Sequence, residues 1–406
     1  MTYNGTVWLQ GVTSGEKHEI GPLFFDPVDG GQLSVTFDLQ AVAERFADEW
    51  KSVGSMWDRF GAVLAPLDRS HVISLGEGST PLVRSERIAK RLGLKNLFFK
   101  LESCNPTGSF KDRQISVALS MGRSWGRTRY ATVSSGNVGN ALSAYCAKAG
   151  YEAFVWVSDD TAESKRQQIS VYGGQLFLVP APGEGRVRDH WNLFRDLQGF
   201  CLARNIVPMI SARPVNPFMV EGTKTIAFEI AAELNRVPDE VFCCVGGGGL
   251  LGGMHKGFSE LVGLGQSTHM PRIHGGQRTD RNYAPIDKVT HRLYVEGDYY
   301  LPLDGEWAWS AIQDTGGTLL PVSSDEIAEA QAWLANLEGI FAEPQGAYAT
   351  AALIRAARNG EVDSDATVTC IVTGIGLKDM TATKRFAEFE PQRAAITVTG
   401  LADSSL

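Results

Sequence analysis

The chain has 406 residues, 43% of them hydrophobic, and sets 38 lysines and arginines against 46 aspartates and glutamates, a net charge of −8. An acidic chain of mixed signs has no basic footprint for nucleic acid or an anionic membrane, and no apolar run approaches the roughly 20 residues that span a bilayer. So long a chain with so large an apolar share predicts more than one core.

The opening stretch MTYNGTVWLQGVTSGEKHEIG lacks a basic segment followed by an apolar one, so no signal peptide is expected. Residues 1–40 read as turn-rich β structure, ending in the alternation Leu33/Val35/Phe37. A helix is expected over 41–60, then the loop SLGEGSTPL, a helix over Ser85–Leu92 and a strand over Asn96–Leu101. The segment Gly108-Ser109-Phe110-Lys111-Asp112-Arg113 opens an apolar-periodic run to Met121. From there strands and helices alternate. Tyr130–Val133 is a strand, Asn137–Gly150 a helix, Glu152–Val157 a strand, and Thr161 a candidate cap for a helix to Tyr172. A strand at Gln175–Val179 and a helix over 187–204 follow. The helix Met219–Asn235, the strand Glu240–Val245, the helix Gly249–Leu264 and the strand Arg272–His274 come next. No element can be placed over 276–310. Ser323 and Glu326 spell a capping box before a helix to Leu337, and a helix Gln345–Asn359 leads to the strand Ala366–Val372. The tail after Gln392 is expected to be loosely held.

Strand–helix alternation over this length predicts an α/β protein with open, mostly parallel, twisted sheets flanked by helices, preceded by a small β-containing extension. Ligands of such sheets bind beyond the carboxyl ends of the strands. Three loops lie there: Ser134-Ser135-Gly136-Asn137, Gly246-Gly247-Gly248-Gly249 and Thr373-Gly374. The four glycines let the backbone wrap an anion at a helix N-terminus, and a phosphate is the natural guest. Gly247, Gly249 and Gly252 also spell G-x-G-x-x-G, but a dinucleotide fingerprint needs an acid about 20 residues on, and Glu260 comes too early. The Ser134 loop suits a carboxylate, with Asn137 either an N-cap or an amide donor to a ligand. Thr373 either bonds backbone or faces a ligand. Cys104, Cys146, Cys201, Cys243, Cys244 and Cys370 contain no C-x-x-C pair and read as reduced cytoplasmic thiols. The seven histidines show no metal-ligand spacing, so no metal is expected. A lysine amine, a phosphate cradle and a carboxylate loop together fit pyridoxal 5'-phosphate and a small amino-acid substrate.

On these residues the chain resembles the fold-type II pyridoxal phosphate enzymes, and within them the threonine synthase family. SLGEGSTPL, ESCNPTGSFKDR, VSSGN, NPFMVEGTKTIAFEI, GIFAEPQGAYATAAL and VTGIGLKD carry the resemblance over nearly the whole chain. It implies that Lys111 forms the Schiff base and takes the Cα proton. Phe110, Asn137, Gly246 to Gly249, Leu250 and Thr373 then contact the cofactor, with Thr373 at the pyridine nitrogen. Ser134, Ser135 and Gly136 line the substrate carboxylate, and Val138 and Met219 mark the substrate side. It also implies a homodimer, an extension over 1–60 packed on a large cofactor domain (61–114 and 213–392), a small mobile domain (115–212) and a tail (393–406).

The chain departs from that family in three places. Its N-terminal stretch has no cysteine pair, Val138 stands where threonine is usual, and Pro214 and Met219 replace the serine and arginine of S-x-N-P-x-R that hold a substrate phosphate. A dianionic phosphate needs charge-assisted partners. The expected activity is therefore elimination or replacement on an amino acid other than O-phosphohomoserine. Threonine synthase itself, a serine/threonine dehydratase, a cysteate synthase-like β-replacement enzyme and a non-catalytic binding module are the alternatives. Lys224, Arg278 and Arg213 are the other candidate cations, with Arg213 read as a solvated loop residue.

Overall fold

The computed structural model describes residues 5–180, 196–279 and 304–385. Three antiparallel strands come first, β1 (Val7–Gly11), β2 (Lys17–His18) and β3 (Leu33–Phe37), in the order β2-β1-β3. Leu33, Val35 and Phe37 face inward, as the alternation predicts, with Val35 opposite Leu9. Asp38 caps α1 (Leu39–Glu49) by accepting from the Ala41 N–H. The helix expected over 41–60 is two helices. Ser55 and Asp58 form a capping box that starts α2 (Met56–Phe60) afresh, so capping overrides the continuous apolar pattern.

Next come β4 (Leu82–Arg84), α3 (Arg87–Leu92), β5 (Asn96–Leu101) and α4 (Lys111–Ser124). The succession β6 (Arg129–Ser134), α5 (Asn137–Ala149), β7 (Glu152–Ser158), α6 (Glu163–Val171), β8 (Gln175–Val179), α7 (described over 196–203) and β9 (Val207–Pro208) builds one sheet. Its four strands are all parallel, in the order β8-β7-β6-β9. Thr161 does not cap α6. The N-cap is Ala162, and no side chain bonds there.

The chain then runs α8 (Met219–Leu234), β10 (Glu240–Cys244), α9 (Gly249–Gly263), β11 (Arg272–Arg278), α10 (Gly305–Asp314), β12 (Leu319–Val322), α11 (Ser324–Glu338), α12 (Tyr348–Arg358) and β13 (Thr367–Val372). Six strands form the larger sheet, β12-β11-β10-β13-β5-β4, parallel except at the β4 edge. β10 and β13 are buried along their whole length, the signature of strands covered on both faces. The capping box at Ser323 and Glu326 forms with both of its bonds. α10 and β12 lie where sequence periodicity gives no reading. β12 is short and carries Pro321, which an edge strand tolerates. Within the unassigned stretch 276–310, residues 280–303 lie outside the described residues, as do the first part of the helix expected over 187–204 and the tail after Gln392. Among the described residues no helix is long and apolar enough to cross a membrane.

Candidate active site

Lys111 is the first residue of α4, and its neighbours hold the backbone still. Gly108 has φ 85°, and a Cβ there would lie 2.7 Å from Ile375 Cγ2, so glycine is required for both conformation and space. The Phe110 N–H donates to the Thr373 carbonyl at 3.2 Å, and the Ile375 N–H donates to that of Gly108 at 3.0 Å. These bonds stitch the lysine segment to the loop after β13. Asp112 accepts from the Thr107 hydroxyl at 2.9 Å, and burial pushes its carboxyl up to about 7 against that bond and Lys378. Arg113 is fully buried between Glu102 and Glu229, each at 2.7 Å.

The Lys111 amine lies 4.1 Å from the Phe110 ring centroid and donates to Ser211 Oγ at 2.6 Å. Desolvation lowers its pKa to about 8, opposed by the carboxylates of Asp304 and Glu343. The N-terminal end of α4 also disfavours a cation. A lysine in this setting keeps a far larger neutral fraction near physiological pH than an ordinary lysine, and the neutral form is the nucleophile.

The glycine loop follows β10 and opens α9. Among the described residues no carbonyl or side chain accepts from the N–H groups of Gly246 to Gly249. Such orphan donors at a helix start fit a phosphate. Space also favours glycine at two positions of the loop. A Cβ on Gly246 would lie 2.7 Å from Gln345 Nε2, and one on Gly248, at φ 97°, 2.4 Å from the Asp304 carbonyl. Leu250 is buried just behind. Asp304 borders this cradle: its N–H donates to the Gly247 carbonyl at 2.7 Å, and its carboxylate accepts from the Arg213 N–H at 3.2 Å. Burial pushes that carboxyl up to about 7, partly offset by Arg213 and Lys111.

The third loop comes from the four-stranded sheet. Ser134 Oγ accepts from the N–H groups of Gly136 and Gly139, so this hydroxyl caps α5, while Ser135 is exposed. Asn137 is inside the helix and is not its N-cap. Its Nδ2 donates to Glu343 Oε1 at 2.5 Å, and its buried Oδ1 has no partner. Glu343 also pairs with Lys165 at 2.8 Å and bonds the Gly374 carbonyl through its N–H. It therefore ties the asparagine loop to the loop after β13. Thr373 Oγ1 makes a long bond, 3.4 Å, to the Gln345 carbonyl and a hydrogen-bond contact with the Cys244 thiol. Lys111, the glycine loop, Asn137 and Thr373 thus meet between the two sheets. Val138 and Met219 are buried in the hydrophobic core, at 6% and 0% exposure.

Several residues here have no reading in sequence. Glu343 lies within GIFAEPQGAY, but nothing local in that motif singles it out. Ser211, Lys165 and Cys244 carry no local signal, and Asp304 sits in the stretch that resists assignment. The cation alternatives resolve differently. Lys224 is locked between Glu221 and Glu260, and Arg278 donates to Ser324. Arg213 is not a solvated loop residue: it is half-buried, lies 4.1 Å from the Trp307 ring and donates to Gln32 Oε1.

A buried lysine of lowered pKa and a phosphate cradle are used together by a cofactor that carries both an aldehyde and a phosphate. On an open parallel sheet, this pairing defines the class of pyridoxal-phosphate-dependent enzymes. A family model described as pyridoxal-phosphate dependent enzyme matches residues 73–374. The threonine synthase of Methanocaldococcus jannaschii is 32% identical over 93% of this chain and 94% of its own, and that of Synechocystis 34% identical over 77% and 80%. Among solved structures, O-ureido-L-serine synthase superposes with a TM-score of 0.61 at 22% identity over 80% of this chain and 98% of its own. Threonine deaminase isoform 2 of Solanum lycopersicum gives 0.57 at 19% over 76% and 88%. This chain belongs to the fold-type II pyridoxal-phosphate-dependent enzymes and, within them, to the threonine synthase family. Its cofactor is pyridoxal 5'-phosphate.

Proposed function

We propose that this enzyme performs elimination or replacement on a small L-amino acid other than O-phosphohomoserine. The observation that carries the reading is Met219. It stands where the family places a phosphate-binding arginine, and it is fully buried among apolar neighbours. Pro214 replaces the companion serine, and Lys224 already answers two glutamates.

Each residue then has a distinct task. Lys111 holds the cofactor covalently and, once released, takes the Cα proton. The amides of Gly246 to Gly249 and the start of α9 hold the cofactor's phosphate, with Phe110 and Leu250 beside it. Asn137 is aimed by Glu343 at the ring hydroxyl. Ser135 and the amides at the start of α5 hold the substrate carboxylate, and Ser134 shapes that turn. Thr373 offers the pyridine nitrogen a neutral hydroxyl. When bound, the cofactor supplies the electron sink for the carbon that loses its proton. A neutral partner at the ring nitrogen favours elimination or replacement over transamination. We also read the enzyme as a cytoplasmic homodimer, on its six free cysteines and on its resemblance to the family.

A substrate panel tests this reading. Serine, threonine, O-phosphoserine and O-phosphohomoserine are assayed for 2-oxo acid and phosphate release. A nonphosphorylated amino acid is expected to turn over faster than O-phosphohomoserine. Rapid phosphate release from O-phosphohomoserine with threonine formed would make the enzyme a threonine synthase proper.

Asp304 supplies a second expectation. Its carboxyl ionises around pH 7, and the ionised form repels a phosphate in the adjoining cradle. Retention of the cofactor by Lys111→Ala protein, measured by equilibrium dialysis, should weaken as pH rises from 6 to 8.5. Adding Asp304→Asn should remove most of that fall. An equal fall in both proteins would mean that Asp304 does not reach the phosphate.

A further inference from the structure

The amine of Lys111 has one hydrogen-bond partner among the described residues, and that partner is itself fixed. Ser211 Oγ accepts from Lys111 Nζ at 2.6 Å and donates its own hydrogen to Gln114 Oε1 at 2.5 Å. Gln114 Nε2 in turn donates to Thr223 Oγ1 at 2.8 Å. Gln114 is fully buried one turn beyond Lys111 on α4, so both side chains leave the same helical face. Thr223 lies on α8. The two helices approach closely because residue 222 is glycine: a Cβ there would sit 2.0 Å from the Arg113 carbonyl.

A hydroxyl has one hydrogen to give. Ser211 spends it on Gln114, so it meets Lys111 as an acceptor only. A neutral amine has two hydrogens and one lone pair. With Ser211 accepting one hydrogen, the lone pair stays free. Were Ser211 turned the other way, its hydroxyl would cap the lone pair and the amine would make a poorer base.

We propose that Ser211 and Gln114 are positioning residues for proton transfer at Lys111, holding its amine as a donor and leaving its lone pair turned to the substrate. This inference rests on the cofactor reading above. In the step concerned the Cα–H bond breaks, and its proton forms a new N–H bond with the lone pair of Lys111. The cofactor, when bound, would supply the sink for the electron pair left on carbon. Ser211 accepts from the amine before and from the ammonium after, and the proton never leaves Lys111 for Ser211. Among the described residues the other ionisable groups around the amine are Cys244 on β10, Asp304 before α10 and Glu343 before α12. The Cys244 thiol, pushed up to about 11 chiefly by burial, stays neutral in the working range.

The test has one readout in cofactor-free protein and one in loaded enzyme. In cofactor-free protein, the rate of Lys111 acetylation by dilute acetic anhydride is followed by mass spectrometry from pH 6 to 11. The wild-type titration midpoint is expected near 8. Ser211→Ala removes an acceptor that stabilises the ammonium more than the amine, so the midpoint moves lower. Ser211→Thr keeps the hydroxyl and restores it. In loaded enzyme, Ser211→Ala lowers kcat about 10–100-fold, the cost of a misplaced reacting group, with KM little changed. The acidic limb of the kcat–pH profile moves with the midpoint. An unchanged midpoint and pH profile in Ser211→Ala overturns the proposal. If Ser211→Ala does not fold, the same titration is run on Ser211→Cys, a weaker acceptor, where a lowered midpoint supports the proposal and an unchanged one overturns it. Failure of the cofactor reading is distinguishable, because wild-type protein would then show no borohydride-sensitive visible band while the titration still reports on the hydrogen bond.

Discussion

Lys111→Ala is expected to abolish covalent cofactor attachment and lower turnover by at least about 10³-fold, near the upper range for loss of a general base, because the same amine also binds the cofactor. Borohydride reduction of wild-type protein with pyridoxal 5'-phosphate should leave a stable label on the peptide holding Lys111, and the alanine variant should leave none. A stoichiometric label on another lysine, or retained turnover, would remove Lys111 from its role. The fold should survive, because the amine makes one hydrogen bond and no ion pair among the described residues. The cofactor-free protein carries a further signature. A buried lysine with lowered pKa binds fewer protons folded than unfolded between about 8 and the ordinary lysine range. Stability contributed by this site therefore rises with pH across that window, and its cost is fully present below it. The alanine variant should lose this rise.

Arg113→Met is expected to be the most destabilising single change near the site, costing about 3–5 kcal/mol. The guanidinium bonds Glu102 at 2.7 and 2.8 Å and Glu229 at 2.7 Å through two nitrogens, all with no exposure. Lys100 also pairs with Glu229 at 2.9 Å. Arg113 and Lys100 hold the Glu229 carboxyl well below its usual range against a desolvation that would raise it. Removing Arg113 leaves Glu102 uncompensated in the core. Urea denaturation of cofactor-free protein should show a lower midpoint, and a triple variant that also carries Glu102→Gln and Glu229→Gln should recover part of the loss. A change of under about 1 kcal/mol in Arg113→Met would show that the network contributes little. Because Arg113 is two residues from Lys111, cofactor affinity should fall with stability.

Much of the scaffold is legible in sequence because its signals are local. The bounds of β5 and β8 follow from short apolar runs between turn residues, and α11 begins where Ser323 and Glu326 cap it. The glycine run marks a cradle because Gly248 turns at a positive φ that favours glycine and the run opens a helix whose N–H groups suit an anion. Where local signals compete, the sequence misleads. Aromatic periodicity runs through 50–55 and hides the capping box that starts α2. Thr161 looks like a cap one residue too early. β12 escapes notice because a four-residue edge strand with a proline has little pattern to show.

Sequence by itself determined the parallel architecture and the cofactor class, and it singled out Lys111 as the candidate Schiff-base lysine. Each of these rests on residue types at fixed short spacings, which the chain cannot conceal. Tertiary structure alone decided what surrounds the amine. Ser211 lies 100 residues from Lys111, and Glu343 lies 206 from Asn137. Neither pairing leaves a mark in the intervening chain, because a hydrogen bond between distant residues needs only that two helices or two sheets pack closely. The buried state of Arg113 is of the same kind. In sequence it is half of a charged pair beside a lysine, and only the carboxylates of β5's following turn and of α8 make it an internal anchor.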